Sequence, residues 1–152
     1  MTAPATAALQ ALKAHLETVT VANGYQINIA AVAIGRAALA VGSKAALPVI
    51  TLTTLRDESP EGSGYIEAGS LHQSWTRLVQ MEALIDGSDA WEADLDAALY
   101  DLRKALTRYK RPLLIGPPEF TPPALDATGS GGTAALLMPL KIPYELSFFD
   151  SL

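Results

Sequence analysis

"LLMPLKIPYELSF", residues 136–148, decides the fold. Leu136, Met138, Leu140, Ile142, Tyr144, Leu146 and Phe148 fall on one parity, and Leu137, Pro139, Lys141, Pro143, Glu145 and Ser147 on the other. A period of two sustained over this length predicts a long strand with one face toward a core. Pro139 and Pro143 share a parity, so two N–H donors are missing from the same edge. That predicts an edge strand, open on the side where the donors are missing, or a strand whose partner stops short.

Working back along the chain, residues 71–85 repeat the pattern. Leu71, Trp75, Val79, Met81, Ala83 and Ile85 share one parity, with His72, Ser74, Thr76, Gln80 and Glu82 on the other. Arg77 is the exception, a charge on the apolar face that needs a partner. Two partners are open: an internal ion pair or a subunit contact. Between these strands the period changes. Trp91, Leu95, Ala98, Leu99, Leu102 and Leu106 make a helical stripe over about 89–108. Asp89 and Glu92 have the spacing of a capping box with Asp as cap. Acidic residues crowd the first turns, and Arg103, Lys104 and Arg108 the last, which complements the helix dipole.

At the N-terminal end, Leu9, Leu12, Leu16 and Val19 predict a helix over 5–19, stopped by Asn23-Gly24. Tyr25, Ile27 and Ile29 then alternate with Gln26 and Asn28, which predicts a strand over 25–34 with one wet face. The large residues change parity at Ala30-Ala31, so either a bulge falls there or the strand end is covered on both sides. Residues 36–46 fit a short turn or a second hairpin arm. "VITLTTL" after Pro48 is a β-branched strand. Residues 56–70, charged and rich in Gly and Ser, predict a mobile loop. A short strand is expected at 112–115 and an irregular Pro/Gly-rich connection over 116–132. Strands come in runs rather than alternating with helices, which predicts one α+β domain over 1–152: a mostly antiparallel sheet with two main helices on one face.

The chain has 152 residues, a net charge of −5 and no cysteine. One ordinary domain of this size builds a sufficient core without staples. Disulfides, thiolate chemistry and cysteine-held metals are excluded. The acidic balance argues against strong nonspecific nucleic-acid binding. "MTAPATAALQALK" has no early basic residues and no continuous apolar core, so it does not read as a signal peptide. No apolar run approaches the ~20 residues of a membrane span.

Chemistry is sparse. His15 and His72 have no second ligand at helical or strand spacing, and each reads as a surface or boundary histidine. "GSGGT" at 129–133 lacks the lysine and strand–turn–helix context of a P-loop. No serine sits in a nucleophile elbow. Glu92, Asp94 and Asp96 read as surface acids, and "RYKR" at 108–111 as a helix C-terminus rather than a phosphate site. Trp75 and Trp91 read as core. No cofactor or metal is expected, and a chain with a sound core and no site is expected to work through its surfaces rather than as an enzyme.

The order of features resembles the tail terminator, or tail completion, proteins of long-tailed bacteriophages. The likeness rests on a short helix ending before "GY" at 24–25, a strand launched by "LP" at 47–48, and a long strand holding "QMEALID" at 80–86. A helix bearing "DLRKAL" at 101–106 and a closing strand "LKIPYEL" at 140–146 complete it. The resemblance implies a structural virion protein whose protomer closes into a ring, commonly a homohexamer, on the head-proximal end of the tail tube. There it stops tube growth and offers a surface for head–tail joining. Its implied partners are itself, the tail tube protein and a head–tail connector or neck protein, with no membrane and no sequence-specific nucleic acid. Its implied place is the virion tail or neck, and the host cytoplasm during assembly.

The resemblance marks no interface residue. Residue character alone makes Gln26 and Asn28, the wet face of 25–34, candidates for the ring contact. Arg56, Asp57, Glu58 and Glu61 in the charged loop, and Arg77, complete the set. Two other classes stay open: another neck or head–tail joining protein, and a small enzyme whose site is assembled from distant residues.

Overall fold

The computed structural model describes residues 2–35, 47–58, 65–67, 70–123 and 132–149, with side chains described except at 65–67, 70–72 and 147–149. The order is α1 (Pro4–Leu16), a 3-10 turn (Val21–Asn23), β1 (Ala31–Ile34), β2 (Val49–Glu58), β3 (Tyr65–Glu67) and β4 (Ser70–Asp86). Then come α2 (Trp91–Thr107), β5 (Leu114–Ile115), β6 (Glu119–Thr121) and β7 (Thr133–Phe149). The strands form one sheet, with β1-β2-β4-β7-β5 as its path, β3 also on β4 and β6 also on β7. Among the described strands, only β1 and β2 pair in parallel. The fold is α+β with a mostly antiparallel sheet, as expected.

β4 and β7 are the backbone of the molecule. Each has 17 residues, about 55 Å of strand, and they pair without a register break from Ser70↔Phe149 to Asp86↔Thr133. Val79, Met81, Ala83 and Ile85 of β4 and Leu136, Met138, Leu140 and Ile142 of β7 form one face. They merge with Leu9, Leu12 and Leu16 of α1 and Leu95, Leu102 and Leu106 of α2 into one core cluster. Both helices therefore cover the same face of the sheet. On the opposite face Leu78, Gln80, Glu82, Leu84, Leu137 and Pro139 are half-buried.

Of the two outcomes expected from the prolines, β7 is not the open edge strand but the strand whose partners stop short. Its outer edge carries two partners that stop short: β6 opposite Ala135–Leu137 and β5 opposite Leu140 and Lys141. Pro139 lies between them. It has no N–H to give, but its carbonyl accepts the Gly116 N–H at 2.8 Å. A Cβ at Gly116 would lie 2.5 Å from the Pro139 ring, so that close approach needs glycine. No described strand pairs with this edge at Pro143.

Several local expectations are corrected. α1 ends at Leu16 rather than 19, because Thr18 and Val19 fold back to accept turn geometry: the Thr18 hydroxyl donates to the His15 carbonyl at 2.6 Å, and the Val19 N–H to Leu16. Gly24, with φ of 91°, closes the 3-10 turn instead of the helix. The strand expected over 25–34 is confined to Ala31–Ile34. The bulge at Ala30-Ala31 is not needed. The expected capping box is absent, since α2 starts from Ala90 with no side-chain cap. The loop expected at 56–70 begins as strand, because β2 runs through Glu58, and Tyr65–Glu67 is β3. Within the expected irregular connection, Glu119–Thr121 is strand. The reading of 36–46, the rest of the 56–70 loop and the glycine run at 129–131 lie outside the described residues.

Candidate interaction surfaces

Two constellations gather the polar residues. The first lies where the helix layer ends. β4 and β7 continue past the core with the same alternation, but their side chains are now only half-buried: Trp75 and Arg77 on β4, Tyr144 and Leu146 on β7. A register break in β2 at Leu55 sets the chemistry there. Thr54 pairs with Val79 and Arg56 with Leu78, so Leu55 is an extra residue, 51% exposed. A bulge of this kind moves every later side chain to the other face. Asp57 is thereby placed opposite Arg77. The guanidinium grips it bidentately, Nε to Oδ1 at 2.8 Å and Nη2 to Oδ2 at 3.0 Å. It also lies 5.9 Å from the centre of the Tyr144 ring.

The electrostatics follow from that geometry. Hydrogen bonds from Arg77 hold the Asp57 carboxyl below its ordinary range, against a smaller opposing effect of burial. Asp57 in turn raises the Arg77 guanidinium. Burial pushes the Tyr144 hydroxyl up, and the neighbouring Asp57 charge adds to it. Next to this trio, Arg56 Nε bonds Glu58 Oε1 at 2.8 Å at the surface, and the Trp75 indole donates to Gln73 at 3.1 Å.

The second constellation fastens residues 24–29 to α2. Asp101 sits on the inner face of the helix beside Ala98, Leu102 and Ala105, and is fully buried. Its Oδ2 accepts the backbone N–H groups of both Gln26 and Ile27 at 2.8 Å. Consecutive N–H groups of a strand point to opposite sides; here they converge on one oxygen, which is why Tyr25–Ala30 is not a strand despite its alternation. Tyr25 is buried, with Lys104 and Arg108 at 5.4 and 5.3 Å from its ring centre. Lys104 Nζ also donates to the Gly24 carbonyl at 3.0 Å. Asn28 Oδ1 accepts the Val21 N–H at 2.8 Å and closes the loop.

His15 joins the helices. Its Nε2 lies 2.6 Å from the Ala105 carbonyl, so this nitrogen carries the donated proton, and its ring lies 5.1 Å from that of Tyr109. It is a boundary residue, as its sequence context implies. Burial raises the Tyr109 hydroxyl, which has no hydrogen-bond partner among the described residues.

The candidate residues thus divide. Arg56, Asp57, Glu58 and Arg77 come together at the far end of the sheet, and the Arg77 partner is internal. Gln26 and Asn28 lie in the loop beside α2, where Asn28 serves the loop itself. Glu61 and the His72 side chain lie outside the described set. Sequence reading missed Asp101, whose only signal is an acid at i+3 from Ala98 within an apolar stripe. It also missed the exposed apolar edge of Leu114, Ile115 and Phe120, 65%, 44% and 38% exposed. No described helix is long and apolar enough to cross a membrane. Comparison with protein-family models and with curated proteins finds no match to this sequence.

Proposed function

We propose that this chain is a structural virion protein, a ring-forming terminator that caps the head-proximal end of a long phage tail and joins it to the neck. The observation that supports this reading most is the β4–β7 ribbon. It outruns its own helices and carries Trp75, Arg77 and Tyr144, residue types enriched in the energetic centres of protein interfaces. Core burial on that face stops at Val79 and Ile142. One small domain gains nothing from extending two strands beyond its core, whereas a subunit of a larger body gains a contact surface there. The exposed Leu114, Ile115 and Phe120 edge is a second, different surface. A cyclic assembly uses two different patches on each subunit, and a twofold dimer uses one patch twice.

The test is to locate the chain in an assembled particle by electron microscopy. The expected result is one closed ring, most simply of six copies, at the end of the tail tube that meets the head. A single copy, or pairing in twofold dimers, would sink the reading. A ring placed on the head side of the joint would make this a neck protein instead.

A further inference from the structure

The ring reading leaves open how neighbouring copies recognise each other, and α2 has the charge distribution for it. Five of the basic residues, Arg103, Lys104, Arg108, Lys110 and Arg111, fall within nine positions of an acidic chain. They lie at and just after the C-terminal end of α2, whereas Glu92, Asp94 and Asp96 lie in its first turns and Asp89 just before it. α2 has 17 residues, so the two groups are separated along a rod about 25 Å long. The four acids and Arg103 are exposed and form no ion pair within the described residues. Beside the basic group runs an open groove of about 630 Å³, lined by Leu99, Tyr100 and Thr107, with three cations, Arg103, Lys104 and Arg108, against one acid, Asp96. Tyr100 is 59% exposed. Dipole complementation accounts for the charges at the ends of the helix. Tyr100 adds an exposed aromatic ring beside the basic side chains.

We propose that this groove receives the acidic start of α2, Glu92 and Asp94 of its first turn with Asp89 just before it, from a second copy of the same chain. Each α2 then gives its acidic end to one neighbour and its basic groove to the other. The contact is heterologous, and repetition with rotation closes it. Tyr100 is the anchor, and the charges set the partner and the register. The proposal rests on the ring reading and adds a subunit contact on α2 to the ribbon and the β5–β6 edge.

The test uses two variants of the full chain. One carries Asp89→Lys and Glu92→Lys, and the other Arg103→Glu and Arg108→Glu. Circular dichroism melts check that both fold. Asp89→Asn with Glu92→Gln is the gentler form if the first does not. Association is followed by sedimentation at low and high salt. The wild type is expected to associate at low salt into a species of more than two copies. Each variant alone should associate at least about tenfold more weakly, because like charges now meet. Mixing the two should restore association as an alternating one-to-one complex, since the acidic groove of one meets the basic turn of the other. Variants that associate as the wild type does, a wild type that stays monomeric at low salt, or a mixture that stays apart would each overturn this contact. The ring reading itself would still be decided in the particle. A mixture that closes as two copies likewise overturns the head-to-tail contact.

Discussion

The two halves of the β4–β7 pair follow one sequence pattern in two environments. Between Val79 and Ile85, and between Leu136 and Ile142, the apolar parity lies under α1 and α2 and is almost wholly buried. Toward Ser70 and Phe149 the parity continues through Trp75, Tyr144 and Leu146, yet those side chains are half-buried and Arg77 stands among them. Alternation therefore reports which face of a strand is apolar. It does not report whether the same chain supplies the cover. Where the cover ends, stability and surface chemistry separate, and the covered half should carry the folding energy.

The strongest way to break that division is to cut both halves alike. Leu102 is fully buried between α2 and the sheet. Leu102→Ala should cost about 2–5 kcal/mol in urea unfolding, through lost transfer energy and the cavity left behind. Leu146→Ala on the ribbon should cost less than half as much. Equal losses would show that the ribbon is core and that no division exists.

Asp101 tests the covered half from its polar side. Asp101→Ala leaves the N–H groups of Gln26 and Ile27 without their acceptor. The expected loss is about 2–4 kcal/mol, with faster amide hydrogen exchange at 25–29 and unchanged exchange in the ribbon. If exchange rises equally in both regions, the clamp is not local.

How much of this could be read beforehand follows from range. The long strands, the α2 stripe and the effect of the two prolines are periodic features, set by neighbours a few residues apart, and all are legible. Tyr25–Ala30 carries a strand pattern as clear as any, but its donors are captured by Asp101, 75 positions away in sequence from Gln26. No window of local sequence contains that competitor. The bulge at Leu55 is equally hidden. It moves Asp57 from the loop it was assigned to onto the face of Arg77, and "TTLRDE" has no glycine to mark it. The Asp89–Glu92 spacing fits a cap, yet the helix starts two residues later than Asp89. Surface residues were the least legible, because exposure of Leu114 or Phe120 depends on where β5 and β6 dock.

Trp75 sharpens the comparison from the ribbon side. Trp75→Ala removes a half-buried ring whose indole bonds only to Gln73 among the described residues. A stability loss of about 1 kcal/mol is the typical scale for a point change outside the core. If the proposed terminator reading holds, assembly onto tails should fall far more, since truncated interface anchors cost about 2 kcal/mol or more of binding. Full incorporation of this variant into particles would remove the ribbon from the interface.

The smallest expected effect is the most specific to one half. Asp57 and Arg77 are partly exposed, at 32% and 21% of their side chains, so the pair should contribute no more than about 1 kcal/mol. Its pH dependence has a defined sign. The Asp57 carboxyl is lowered in the folded chain, so the folded state holds its proton less tightly than the unfolded state does. The contribution is complete above the ordinary carboxylate value of about 4 and is lost as pH falls through the lower folded value. Tyr144 acts in the opposite direction. Its hydroxyl is raised, so stability is complete below about pH 10 and declines as pH rises from there through the folded value. Tyr109, under the helices, is raised by burial as well, so the alkaline decline belongs to both halves and the Asp57 acid limb to the ribbon. Asp57→Asn should therefore be less stable than the wild type at pH 7, with the gap closing below pH 4 and the alkaline decline kept. Urea midpoints across pH 2–11 measure this. A gap that persists at pH 2 would show that Arg77 is held by something other than the Asp57 charge, and the boundary between the two halves would need another explanation.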